Sequence, residues 1–178
     1  MKKILLAAMA SALLYACSGS LAPRLVFDAA AFAKAQANWA ALGIADYSFE
    51  VEEFSRGPKP PIFRVTVVNG DISDIALHDD RYDKDTFYTD AQLARDLKSI
   101  REIGTIPAIF DLIETMRADD ERKLPLLRDG ESITLRVAYN GEYGFPEEVS
   151  SYISSILPDP IISNSYHLKI SNFRPISK

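Results

Sequence analysis

The chain holds one cysteine, Cys17, in 178 residues. An internal disulfide is therefore excluded. Histidine is nearly as scarce, with His78 and His167 only, and no H-E-x-x-H zinc pattern is present. The eight glycines form neither a phosphate-cradling loop nor a dinucleotide fingerprint, and no G-x-S-x-G elbow presents a serine nucleophile. Basic residues are outnumbered, 20 Lys and Arg against 25 Asp and Glu, for a net charge of −5. Nucleic acid is an unsuitable partner, because phosphate binding depends on clustered Lys and Arg. The same balance argues against adhesion to an anionic bilayer by charge alone.

The apolar residues are concentrated at the start. Met1-Lys2-Lys3 precedes a run from Ile4 to Ala16. Two lysines, about thirteen mostly apolar residues and a closing small residue form the three parts of a secretory signal. A spanning helix needs roughly 17–25 apolar residues, so this run is too short, and Ser18-Gly19-Ser20 ends it. The lysines hold its start on the cytoplasmic side, so the rest of the chain is exported. Leu14-Tyr15-Ala16-Cys17 resembles the lipobox of bacterial lipoproteins, with Tyr15 bulkier than the usual middle residue. The resemblance implies cleavage before Cys17 and acylation of its thiol. An ordinary cleaved signal would fit the apolar run equally, but would leave the lone exported thiol free and reactive. Several acyl chains at about 0.8 kcal/mol per buried CH₂ exceed the marginal hold of a single myristoyl group. Ser18, where Asp would retain a lipoprotein at the inner membrane, directs the expectation to the outer membrane, facing the periplasm. The chain thus divides into a signal at 1–16, a lipidated Cys17 with a flexible tether at 17–27, and one domain at 28–178.

Beyond Ala16, 162 residues carry 18 basic and 25 acidic side chains, a balance of −7 and enough chain for a single core. Asp28 reads as the N-cap of a helix closed by Gly43, with Phe32, Ala35, Trp39 and Leu42 on one stripe. The period then changes to two. Tyr47, Phe49 and Val51 alternate with polar residues, and so do Phe63, Val65 and Val67. Asn69-Gly70 supplies two positive-φ residues for a type I′ hairpin, so Ile72–Leu77 runs back against Ile62–Val68. Thr89 and Gln92 form a capping box for a helix carrying Leu93, Leu97 and Ile100. Thr105 caps a second helix with Ile106, Phe110, Ile113 and Met116 on its face. Ile133 to Tyr139, a strand with Val149, and Tyr166 to Ile170 close the chain. The expected fold is α+β: an antiparallel sheet of about six strands, with the N-terminal helix and one or two central helices on one face.

These elements also carry a likeness. Trp39 followed by Ile44-x-Asp46-Tyr47-x-Phe49, Val65-x-Val67-x-Asn69-Gly70 and Thr105-Ile106-x-x-Ile109-Phe110 are its first half. Val137-Ala138-Tyr139-Asn140 and Tyr143-Gly144-Phe145-Pro146-x-x-Val149 complete it, over about residues 36 to 150. The combination resembles a family of uncharacterised bacterial exported proteins, many of them lipoproteins, classed as a domain of unknown function. Members commonly have Asp where Asn140 stands. The resemblance implies export and a shared fold, and brings no activity or catalytic residue.

The segment richest in ligand atoms is His78-Asp79-Asp80-Arg81-Tyr82-Asp83-Lys84-Asp85. A hard cation needs six to eight oxygens, for which Asp79, Asp80, Asp83 and Asp85 with His78 are the candidates. Arg81 and Lys84 interrupt them and the spacing is not that of an EF-hand, so a solvated charged loop is the simpler reading. His78 with an adjacent carboxylate could also act as a base. Tyr143 and Phe145 are candidates for a binding rim, although Gly144 and Pro146 account for a turn without one. No cofactor is expected. The function expected is a non-catalytic cell-envelope lipoprotein, held at the membrane by its lipid and presenting a surface to an envelope protein or cell-wall component. A small-ligand pocket between sheet and helices, and less readily a hydrolase, are the alternatives.

Overall fold

In the computed structural model, residues 22–53, 61–78, 90–156 and 166–176 are described. Cys17, the acidic residues Asp79, Asp80, Asp83 and Asp85, Thr89 of the capping box, and the Pro-rich break at 57–61 up to Pro60 lie outside them. Helix α1 (Ala29–Leu42) forms as its sequence requires: the Asp28 carboxylate accepts the Ala31 N–H at 2.9 Å, and Gly43 closes it at φ 60°. Phe32, Ala35 and Trp39 are buried, whereas Leu42 is 47% exposed, correcting its assignment to the buried stripe. As the last helical residue it lies beyond the contact its neighbours make.

Among the described residues seven strands form one sheet: β1 (Arg24–Val26), β2 (Tyr47–Glu53), β3 (Ile62–Val68), β4 (Asp71–Leu77), β5 (Glu131–Tyr139), β6 (Pro146–Ser155) and β7 (Tyr166–Pro175). Their order is β1-β5-β6-β7-β2-β3-β4, so two three-stranded meanders stand side by side, joined where β7 pairs antiparallel with β2. The strand beyond the expected six is β1. Three residues are too few to show an alternation, and they gain their partner by lying parallel to β5, with Arg24 opposite Ser132. Residues 24–26 are thus sheet, not the tether expected through 27.

The Asn69-Gly70 hairpin is formed as expected, with Asn69 at φ 54° and Gly70 at φ 86°. Its N–H groups are held by the loop ahead of β2: Asn69 N–H donates to Asp46 Oδ1 at 2.6 Å and Gly70 N–H to the Ala45 carbonyl at 2.8 Å. The second Asn-Gly pair behaves differently. Asn140 accepts the N–H groups of Glu142 and Tyr143, and Gly144, not Gly141, takes the positive φ. This six-residue turn joins β5 to β6 and seats Gly144 against Asn38 of α1.

Helices α2 (Asp90–Ile103) and α3 (Ile106–Lys123), the latter continued by a 3₁₀ turn at Leu124–Leu126, complete the fold. Thr105 caps α3 by accepting the Ala108 N–H at 3.2 Å, with Pro107 in the first turn. The core joins Phe32, Ala35 and Trp39 of α1, Ile100 and Ile103 of α2, and Ile106, Ile109, Phe110 and Ile113 of α3 to the alternate residues of β2, β3 and β5–β7. The three described helices therefore pack on one face of the sheet, and the architecture is α+β as expected.

Candidate functional site

With one sheet face buried under helices, the candidate residues divide between that interior and the opposite, open face. Tyr47, Tyr139 and Tyr166 point into the helix-covered side and pack on the core. Phe145 is buried too. Its ring lies 6.2 Å from Trp39, edge-on, and 4.6 Å from Phe173, while Tyr143 stacks over it at 6.4 Å. The Y-G-F-P element thus works as a turn that wedges an aromatic pair beneath α1. Phe145 has no exposed surface to offer a ligand.

The open face carries the polar chemistry. Glu50 lies on it, buried, at the centre of a four-residue cluster. Arg64, its cross-strand partner on β3, donates from Nη2 to Oε1 at 3.0 Å. The other oxygen accepts from Asn172 Nδ2 at 2.6 Å. Asn172 reaches it because β7 bulges here: two residues, Asn172 and Phe173, face Phe49 alone, and Asn172 takes φ 51°. Asn is among the few residues that enter this left-handed region readily. His78, immediately after β4, is placed by donating its backbone N–H to the Ile62 carbonyl at 2.8 Å. Its Nδ1 stands 3.1 Å from Glu50 Oε1 and 3.2 Å from Arg64 Nη2.

Burial opposes ionisation of Glu50, but the hydrogen bonds from Asn172 and Arg64, with the charge of Arg64 and the nearby His78 imidazole, outweigh it. The carboxyl is held below its ordinary range. The contacts at Nδ1 depend on protonation: a neutral Nδ1 can accept from Arg64, while a protonated one can donate only to Glu50. The carboxylate beside His78 is thus Glu50, from a strand far off in sequence, whereas Asp79 and Asp80 lie outside the described residues. A carboxylate oriented against an imidazole can fix a tautomer or bind a cationic group. Among the described residues no group of three or more His, Cys, Asp and Glu could hold a metal ion.

Alternating charge continues along the same face. Lys169 of β7 stands opposite Glu52 of β2 on one side and Glu148 of β6 on the other. His167 Nε2 lies 3.0 Å from Glu148 Oε1. Below the sheet, Glu53 makes a second polar group. It accepts from Ser99 of α2 at 2.7 Å, and burial, then the charge and hydrogen bond of Glu53, push the Tyr166 phenol up. Burial and the same carboxylate also raise Asp96. Glu52 and Glu53, adjacent in sequence, take opposite faces as strand geometry dictates.

Glu50, Arg64 and Asn172 were not distinguishable in the sequence. Glu50 and Glu52 are equivalent polar positions of one strand, and only the bulge in β7 brings an amide to the first. Comparison with known proteins returns no match among curated proteins and none among solved structures. A family of unknown function (DUF6174) matches residues 31–175, from the first turn of α1 to the end of β7, and the chain belongs to that family.

Proposed function

We propose that this protein is a non-catalytic, lipid-anchored domain of the bacterial cell envelope, and that it receives an envelope protein or cell-wall component on the open face of its sheet. One observation carries the choice of face. The helices use up the apolar side of the sheet, while the other side holds out Arg64, its side chain 55% exposed, fixed over the buried carboxylate of Glu50. A cation held in place by a buried partner loses less side-chain freedom when it binds than a free one does. The lipobox-like Leu14-Tyr15-Ala16-Cys17 supports the anchor, and Ser18 supports residence at the outer membrane.

Photo-crosslinking in cells tests the face. A crosslinking residue at Thr66 or Lys169 of the open side is compared with one at Asp111 on the exposed flank of α3. An adduct of defined mass from the open face, weakened by Arg64→Glu and missing from position 111, is the expected result. Adducts from position 111 alone, or equal adducts from both sides, overturn the assignment.

A further inference from the structure

Strand β1 fixes where the anchored end of the chain enters the fold. It runs parallel to β5 with Arg24 opposite Ser132, so the segment following Cys17 joins the sheet at the end where β5 begins. Seven steps separate Cys17 from Arg24, and even fully extended they reach no more than about 25 Å. The end of the sheet beside Arg24 therefore cannot lie far from the bilayer that holds the acyl chains.

That same end carries the two most exposed large apolar side chains among the described residues. Leu126, in the 3₁₀ turn that leads from α3 toward β5, is 82% exposed, and Ile156, just past β6, is 73% exposed. Both adjoin the start of β5. Ser155 pairs with Glu131, Ile156 donates its N–H to the Gly130 carbonyl at 3.1 Å, and Leu126 stands four residues before that glycine. The charges around them are balanced. Arg122 pairs with Asp119 and Lys123 donates to Asp120 at 2.8 Å, while Arg24 and Arg128 are matched in number by Asp129 and Glu131. A balanced rim gives no electrostatic attraction to the bilayer, so what this end offers is apolar area.

We infer that Leu126 and Ile156 form a bilayer-contacting tip, which seats the domain on the surface of the membrane that carries its anchor and leaves the opposite end of the sheet facing away. The inference rests on the lipid-anchor reading above. The far end, where the Asn69-Gly70 hairpin lies, carries Leu42 and Val68, 47% and 40% exposed, which serve as internal controls.

The test uses the full chain, expressed with its signal, purified in detergent and returned to phosphatidylethanolamine–phosphatidylglycerol vesicles. Acylation consumes the Cys17 thiol, so Leu126→Cys, Ile156→Cys, Leu42→Cys and Val68→Cys each present one site for an environment-sensitive fluorophore. Expected are blue-shifted emission and at least threefold quenching by spin-labelled lipid at 126 and 156, with water-like emission at 42 and 68. Water-like emission at 126 and 156 on acylated protein overturns the tip and leaves the anchor standing. A shift at 126 and 156 that appears in native envelopes but not in pure lipid assigns the surface to a protein and likewise overturns it. Mass spectrometry of the same samples separates the two readings, since an unacylated N-terminus removes the anchor and the tip together. Near-ultraviolet circular dichroism of each labelled variant excludes misfolding as the source of a shift.

Discussion

The hydroxyl of Tyr47 on β2 accepts the backbone N–H of Ile106, the first residue of α3, at 3.0 Å. The first N–H groups of a helix have no partner within it. Thr105 takes one of them, and this one, fully buried, is satisfied by a side chain 59 residues earlier in the chain. Burial raises the Tyr47 phenol above its ordinary value, the hydrogen bond opposing, so it stays neutral. Tyr47→Phe keeps the ring against Trp39 and leaves the Ile106 N–H buried without an acceptor. The expected loss is about 1–3 kcal/mol. Urea unfolding measures it as a lower midpoint at unchanged slope, and an unaltered midpoint would remove the role assigned to this hydrogen bond.

Glu50 should make stability depend on acid. Its folded pKa lies below the ordinary 4.5, because its partners outweigh burial. The stability it contributes is complete above that ordinary value and is lost as pH falls through the lower folded one. Glu50→Gln should therefore cost about 1.5–3 kcal/mol near neutrality, the range for hydrogen bonds to a charged group. The gap from wild type should narrow as pH is taken below about 4. A gap that stays constant to about pH 3 contradicts the assignment.

The two glycines of the β5–β6 turn should respond unequally. Gly144 sits at φ 76°, and a Cβ there would come within 3.3 Å of Asn38 Cβ. Around Gly141 nothing lies within 4 Å, and its φ is not in the left-handed region. Gly144→Ala should lose about 1–2 kcal/mol, the cost of a left-handed non-glycine residue, plus the displacement of α1. Gly141→Ala should be close to neutral. Thermal melts of the pair decide the matter; equal shifts would mean that the turn does not dock on the helix as described.

Much of this fold was legible in the sequence, for identifiable reasons. Asp28, Gly43 and Thr105 act within a few residues of themselves, so the ends of α1 and the start of α3 follow from local chemistry. The Asn69-Gly70 hairpin is local in the same sense. The bend between β5 and β6 falls at Gly144, where the Gly144 and Pro146 pattern placed a turn, and the Asn140 side chain captures the N–H groups of Glu142 and Tyr143 ahead of it. The features that escaped depend on the sheet being assembled. Strand β1 exists because β5 lies beside it, and the Glu50 cluster exists because a bulge in β7 turns Asn172 toward β2. Neither has a signature within its own segment. His78 was visible as a candidate, but its carboxylate partner comes from across the sheet.

Asp120 gives the last test, because it separates a buried hydrogen bond from a surface ion pair at one residue. It is buried on α3, where Oδ2 accepts the Ser151 hydroxyl of β6 at 2.9 Å and Oδ1 faces Lys123 at 2.8 Å. The lysine is half-exposed, and an ion pair with an exposed partner contributes little, about 0–1 kcal/mol. Ser151 is buried, so its hydroxyl needs the carboxylate. Asp120→Ala should therefore cost about 1–3 kcal/mol by leaving that hydroxyl unsatisfied. Asp120→Asn retains an oxygen for Ser151, gives up the charge opposite Lys123, and should cost under about 1 kcal/mol. In a double-mutant cycle with Ser151→Ala, the Asp120→Ala penalty should shrink, because the orphaned hydroxyl is gone. Equal penalties for Asp120→Ala and Asp120→Asn would instead place the stabilisation in the ion pair. High salt should then weaken the wild type and leave both variants unmoved.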